Sequence, residues 1–185
     1  MADTFVRRLM GAAMLNAATY EDVEADRTAT AQALAVVVFS SLAAGIGARG
    51  SSGGRATFAY FAVASVIALL MWAAFAVLIF QIGSRILPTS DTRVDVGELL
   101  RTLGFAATPG LIQVLGVFPG AQTPIFTLAI LWTLAASVMA VRQALDYTST
   151  GRALAVCGIG MALSFVFVVV LGLLFGPTLS GFPGA

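Results

Sequence analysis

The chain of 185 residues contains no histidine, no lysine and one cysteine, Cys157. Without histidine there is no Ser-His-Asp or Cys-His couple, and no imidazole ligand for a metal or haem. Without lysine there is no Schiff base and no P-loop lysine. A lone cysteine forms no internal disulfide, and Cys157 lies in an apolar run where a thiol serves as a small hydrophobe. Charge is scarce as well. Ten basic residues, all arginine, and nine acidic ones make up 10% of the chain, against about 25% in an ordinary soluble domain. A net charge of +1 excludes a polybasic nucleic-acid binder. Only hydroxyls, carboxylates and guanidiniums remain for chemistry. The expectation is therefore a protein that is not an enzyme and has no cofactor and no resident metal.

What is present is apolar: 59% of the residues, with a mean hydropathy of +0.96. A bilayer core takes about 20 apolar residues per helix. Five runs qualify: Ala31–Ala48, Ala56–Ile82, Leu99–Phe118, Pro124–Val141 and Ala153–Phe175. The links carry turn chemistry. RGSSGGR fills Arg49–Arg55; Thr123 and Pro124 suit the start of the fourth helix; Asp95 and Glu98 resemble a capping box opening the third. Short links place successive helices side by side. The expected fold is all-α: a polytopic membrane bundle of five transmembrane helices with an N-terminal interfacial amphipathic helix. It reads as one membrane domain over 1–185, with a cytoplasmic amphipathic and acidic segment at 1–29, the bundle at 30–176 and a short external tail at 177–185.

Orientation follows from the arginines. With the N-terminus inside, the inner segments hold Arg7, Arg8, Arg27, Arg85, Arg93, Arg101, Arg142 and Arg152, and the outer face only Arg49 and Arg55. This positive-inside bias predicts a cytoplasmic N-terminus and a periplasmic C-terminus in a bacterial cytoplasmic (inner) membrane. Thr4–Ala18 reads as the interfacial helix, or as a tail lying against the bundle. Phe5, Leu9 and Ala13 recur on one face with Val6, Met10, Met14 and Ala17, leaving Arg7 and Arg8 to reach lipid phosphates. Its polar interruptions argue against a cleavable signal peptide. Glu21–Arg27 holds four carboxylates. It reads as a solvated lead-in to the first span, or as a docking site for a basic partner or a divalent cation, though not as a calcium loop.

Three segments carry a family resemblance. RTLGFAATPG at Arg101–Gly110, VRQALDYTSTGRAL at Val141–Leu154 and EADRTATAQALAVVVFSSLAAGIG at Glu24–Gly47 resemble the bacterial branch of the Yip1 family, with similarity from roughly Leu15 to Gly176. The resemblance implies five spans, a cytoplasmic N-terminus and a short exoplasmic tail. Eukaryotic members act in vesicle traffic, bind prenylated Rab-type GTPases and associate with one another; their DLYGP string is absent here. For bacterial members the resemblance implies membrane location and architecture, with no assigned reaction.

Two groups of residues stand out as candidate sites. Arg101 opens the third span, Arg142 closes the fourth and Arg152 opens the fifth, with Asp146 four residues after Arg142 and Glu98 close by. These are expected to form either a clamp of Arg-carboxylate pairs or a site for a partner or an anionic lipid. Thr108, Pro109, Gly110 and Gln113 mark a kink in the third span, static or hinged, whose freed carbonyls need partners; Thr108 or Gln113 could supply them. The remaining polar positions in the spans are Ser40, Ser41, Ser65, Thr127, Thr133, Ser137 and Ser164, and these read as packing hydrogen bonds. The expected partners are the lipid bilayer and other membrane proteins or a second copy. Function reads as a non-catalytic organiser or adaptor, as an accessory subunit of a larger membrane complex, or as a small transporter or channel using the kinked span.

Overall fold

The computed structural model describes residues 2–49, 58–87 and 95–179. Helix α1 spans Ala2–Ala13, α2 Ala17–Ala25, α3 Ala29–Gly47 and α4 Phe58–Gln81, which continues as a π-helical turn over Ile82–Ile86. Helix α5 spans Val96–Ala106 and is followed by a 3-10 helix, Thr108–Val117; α6 spans Gln122–Ala144 and α7 Thr150–Leu179. Five stretches are long and apolar enough to cross a bilayer: Ala29–Gly47, Phe61–Ile86, Val96–Val117, Gln122–Ala144 and Thr150–Phe167. These agree with the runs read from hydropathy. The start of the second span at Ala56, most of the RGSSGGR loop, Arg93 and the end of the tail lie outside the described residues.

Burial is distributed as lipid solvation requires. Phe39, Val63, Leu70, Leu131 and Phe165 point outward, while Ala33, Ala129, Ala136, Ala140 and Ala153 are buried between helices. Lipid tails are as apolar as leucine, so helices associate through close packing of small residues. The tightest seam joins α3 to the third span. A side chain at Gly104 would collide with Ala33, one at Gly110 would press on Ser40, and one at Gly47 would strike the Gln113 carbonyl. Gly116 in turn abuts the Gly47 carbonyl. The contacts rise together along both chains, so the first and third spans run parallel.

The geometry of that seam changes at Pro109. In a 3-10 helix, residues three apart share a face. Ala107, Gly110, Gln113 and Gly116 therefore form one stripe, and that stripe faces α3. The switch frees carbonyls, and those of Leu103 and Phe105 find side-chain donors. Pro109 cannot donate to the Phe105 carbonyl, which accepts the Thr108 hydroxyl instead at 2.6 Å. The Ala107 amide turns to Gly104, and the Leu103 carbonyl accepts Trp72 Nε1 at 3.4 Å. Ser40 donates to the Ala107 carbonyl at 2.7 Å. Of the two donors expected, Thr108 serves; the others are Ser40 and Trp72 rather than Gln113.

The N-terminal segment departs from the expected single helix over Thr4–Ala18. Helix α1 stops at Ala13, and Leu15 adopts a left-handed φ of 59°. The Asn16 amide bonds the Gly11 carbonyl and the Leu15 amide that of Ala12, which makes a Schellman stop. Asn16 then caps α2, its side chain accepting the Ala18 amide at 3.0 Å. Helix α1 lies against the bundle: Phe5 meets Phe105 edge-on at 6.3 Å, and Trp132 Nε1 donates to the Ala13 carbonyl at 2.7 Å. Val6, Met10 and Met14 stay on the outer side.

Candidate functional site at the α2 end of the bundle

Arg7 and Arg8 were expected to share a lipid-phosphate role. Arg7 is exposed, but Arg8 is buried. Its guanidinium pairs with Asp22 and with Asp26, both at 2.8 Å, and bonds Gln32 at 3.2 Å. The reason is positional: Arg8 lies on the face that α1 turns to α2 and α3. Asp26 is a junction. One carboxylate oxygen receives Arg8, and the other accepts the Thr28 hydroxyl at 2.6 Å and the Thr28 amide at 2.9 Å, shaping the turn from α2 into α3. These bonds, the Thr28 hydroxyl first, hold its pKa down at about 2.

Arg101 is also buried, and its partners are backbone. Its Nε donates to the Val23 carbonyl at 3.1 Å and to that of Glu24 at 3.2 Å; Nη2 donates to Glu24 as well. Those carbonyls belong to the last turn of α2, where a helix exposes unpaired acceptors and the negative end of its dipole. Arg101 thus caps α2 and fastens it to the third span. The expected capping box is half visible: the Asp95 side chain accepts the Glu98 amide at 3.0 Å.

The expected Arg142–Asp146 pair is not formed. Among the described residues neither Arg101 nor Arg142 reaches a carboxylate within ion-pairing distance. The pairing presumed that α6 continues through Asp146. Instead Asp146 is left-handed, φ 51°, and closes a second Schellman motif: its amide bonds Gln143, and that of Tyr147 bonds Arg142. Arg142 Nε donates to the Tyr147 carbonyl at 3.4 Å, and Nη1 to Thr150 Oγ1 at 3.2 Å, bridging α6 to α7. The Arg152 guanidinium lies 6.0 Å from the centre of the Tyr147 ring. The Tyr147 hydroxyl donates to the Leu87 carbonyl at 2.8 Å, which ties this corner to the end of the second span. Tyr147 is therefore the hub where the end of α6 meets the start of α7. Its place within VRQALDYTSTGRAL was the only signal for it in the sequence.

Glu98, Arg142 and Asp146 do come together, in a cavity of about 580 Å³ whose wall also includes Glu21, Glu24 and Tyr147. Four carboxylates surround it against one guanidinium. Glu21 is anchored by Gln143 Nε2 at 2.8 Å. Burial, and then the charges of Glu98 and Asp146, push the Glu24 carboxyl above its ordinary range. A cavity rimmed this way attracts cations and the basic side chains of a peptide, and disfavours anions. Glu21 and Glu24 belong to the acidic stretch; that they face Glu98 and Asp146 depends on the docking of α2, which periodicity does not reveal. Among the described residues no group of His, Cys, Asp or Glu is arranged to hold a metal ion.

These features define a class: an α-helical integral membrane protein of five spans, with a two-helix polar cap at one end. The Yip1 domain matches residues 14–171, and the chain belongs to the Yip1 family. Neither a curated protein nor a solved structure matches the chain.

Proposed function

We propose that this protein is a non-catalytic membrane organiser whose α2 end docks a basic segment of another membrane protein or of a second copy. The observation that carries the reading is the cavity between α2, α5 and the end of α6, with Glu21, Glu24, Glu98 and Asp146 around it. We place that end in the cytoplasm of a bacterial inner membrane, on the arginine distribution. In this reading 1–185 works as one membrane domain, with α1 and α2 forming the docking platform. Arg101 and Arg8 are engaged within the platform, so an anionic headgroup would meet exposed Arg7 instead. The bracing of the Pro109 break by Thr108, Ser40 and Trp72 supports a static kink, and so favours the organiser over a hinged transporter.

Crosslinking in intact membranes followed by pull-down tests this. The double variant Glu24→Gln, Asp146→Asn should lose its crosslinked partner or its self-association while still inserting and melting no lower than the parent. Unchanged crosslinking by this variant would overturn the docking role.

A further inference from the structure

Six of the polar side chains scattered along the spans meet at one place. Ser40, Ser41, Gln113, Thr133, Ser137 and Ser164 line a cavity of about 430 Å³ to which all five spans contribute. Three of them are already committed: Ser40 donates to the Ala107 carbonyl at 2.7 Å, Ser41 to Val37 at 2.9 Å and Ser164 to Gly160 at 2.8 Å. Gln113, Thr133 and Ser137 have no hydrogen-bond partner among the described residues. Ser137 is only 4% exposed. No fully enclosed side-chain nitrogen or oxygen among the described residues lacks a partner. The Ser137 hydroxyl must therefore open onto accessible space, and the space it lines is this cavity.

The rest of the wall specifies the other half of an occupant. Met71, Trp72, Phe75, Phe126, Ile130 and Met161 supply a large apolar surface, and among the described residues the wall carries no charged side chain. The volume falls within the range of about 300–1,000 Å³ typical of sites that take small molecules. An apolar wall does not retain a body of water, and the cavity lies at mid-span depth, where the surrounding solvent is hydrocarbon. Free amide and hydroxyl groups in such surroundings favour a ligand that brings its own acceptor or donor.

We infer that this cavity binds an uncharged, membrane-dissolved amphiphile. Its hydrocarbon body packs on Trp72, Phe75 and Met161, and its single alcohol or carbonyl oxygen bonds the free groups of Gln113, Thr133 or Ser137. Thr133 and Ser137 are one turn apart on the same face of α6, so two donors are available along one wall.

Quenching of Trp72 fluorescence tests the site, with the full chain in nanodiscs and Trp132→Phe removing the second indole. The probes are bromododecanol and bromododecane, which share a body and differ in the polar end. Saturable quenching by the alcohol is expected, with the alkane about tenfold weaker, the scale of one hydrogen bond. Thr133→Val with Ser137→Ala should abolish that preference, and Gln113→Leu should reduce it. Ala44→Phe, which fills the chamber, should weaken both probes. Thr127→Val, outside the cavity, should leave both unchanged, and circular dichroism checks that every variant folds. Quenching that never saturates, equal affinity for the two probes, or a preference that survives the polar substitutions would each overturn the inference.

Discussion

Replacing Arg101 by alanine asks which arginine holds the polar cap to the bundle. Arg101 is 6% exposed and makes three donor contacts to two carbonyls in the last turn of α2. A hydrogen bond from a charged donor is worth about 1.5–3 kcal/mol, and a buried acceptor left alone costs about 1–3 kcal/mol. Alanine also removes the aliphatic stem and its packing. Allowing for relaxation and water entry, the expected loss is about 3–5 kcal/mol, the scale of breaking a buried charged contact. Arg142 holds neutral acceptors at 3.4 and 3.2 Å from a half-buried position, so Arg142→Ala should cost about 1 kcal/mol. Exposed Arg7→Ala should stay within about 0.5 kcal/mol. Thermal melting in one detergent ranks the three. Limited trypsin digestion adds a local readout, because Arg27 sits in the link between α2 and α3 and should be cut faster once α2 is released. Arg101→Lys should recover part of the loss, since an ammonium keeps the charge but not the guanidinium fork. If Arg101→Ala melts with Arg7→Ala and cleavage at Arg27 is unchanged, the capping argument is wrong.

Three further outcomes rest on other parts of the structure. Gly47→Ala drives a methyl into the Gln113 carbonyl and should cost about 1–3 kcal/mol, whereas Gly158→Ala, with nothing near its added carbon, should be neutral or stabilising by up to about 1 kcal/mol; melting of the two variants side by side decides it. Asp146→Gly should raise the melting point, because a left-handed residue with a side chain gives way to one without that penalty, worth about 1 kcal/mol. The acidic cap should respond to pH in two opposite ways. Glu24 is raised by burial and like charge, so its penalty is absent below the ordinary value of 4.5 and grows as pH rises through the folded-state value; Glu24→Gln should stabilise at neutral pH, with the gain vanishing below 4.5. Asp26 is lowered, so its contribution is present above 3.8 and lost as pH falls toward about 2; Asp26→Asn should destabilise at neutral pH, and its gap from the parent should close in that window. Melting curves across pH that fail to diverge in this way would refute the assignment.

The spans were legible because length and hydropathy alone define them. Pro109 was legible as a break, but the 3-10 form of the chain beyond it was not. The seam uses Gly110, Gln113 and Gly116, spaced by three because the chain has become a 3-10 helix there, a spacing that a search at α-helical intervals passes over. The arginines were legible as a group, and their partners were not. Leu15 is the wrong residue type for a left-handed stop, and Asp146, a type that tolerates that conformation, lacks the glycine that usually marks one, so the ends of α1 and α6 were weakly announced. Each stop turns the next segment in a new direction. That took Asp146 away from Arg142 and opened the way for α2 to fold back over Arg8 and Arg101.

The 3-10 stretch also sets the reach of the third span. Ten residues in that form climb about 20 Å, where the same ten in an α-helix would climb about 15 Å. The chain therefore crosses with fewer residues than a uniform helix would need, while a face repeating every third position stays against α3. Adding or removing a block of three residues here would return the facing stripe to phase and change the reach by about 6 Å. An α-helical span has no such whole-number step, so length variation between bilayers of different thickness would be accommodated most simply in the segment that begins at Pro109.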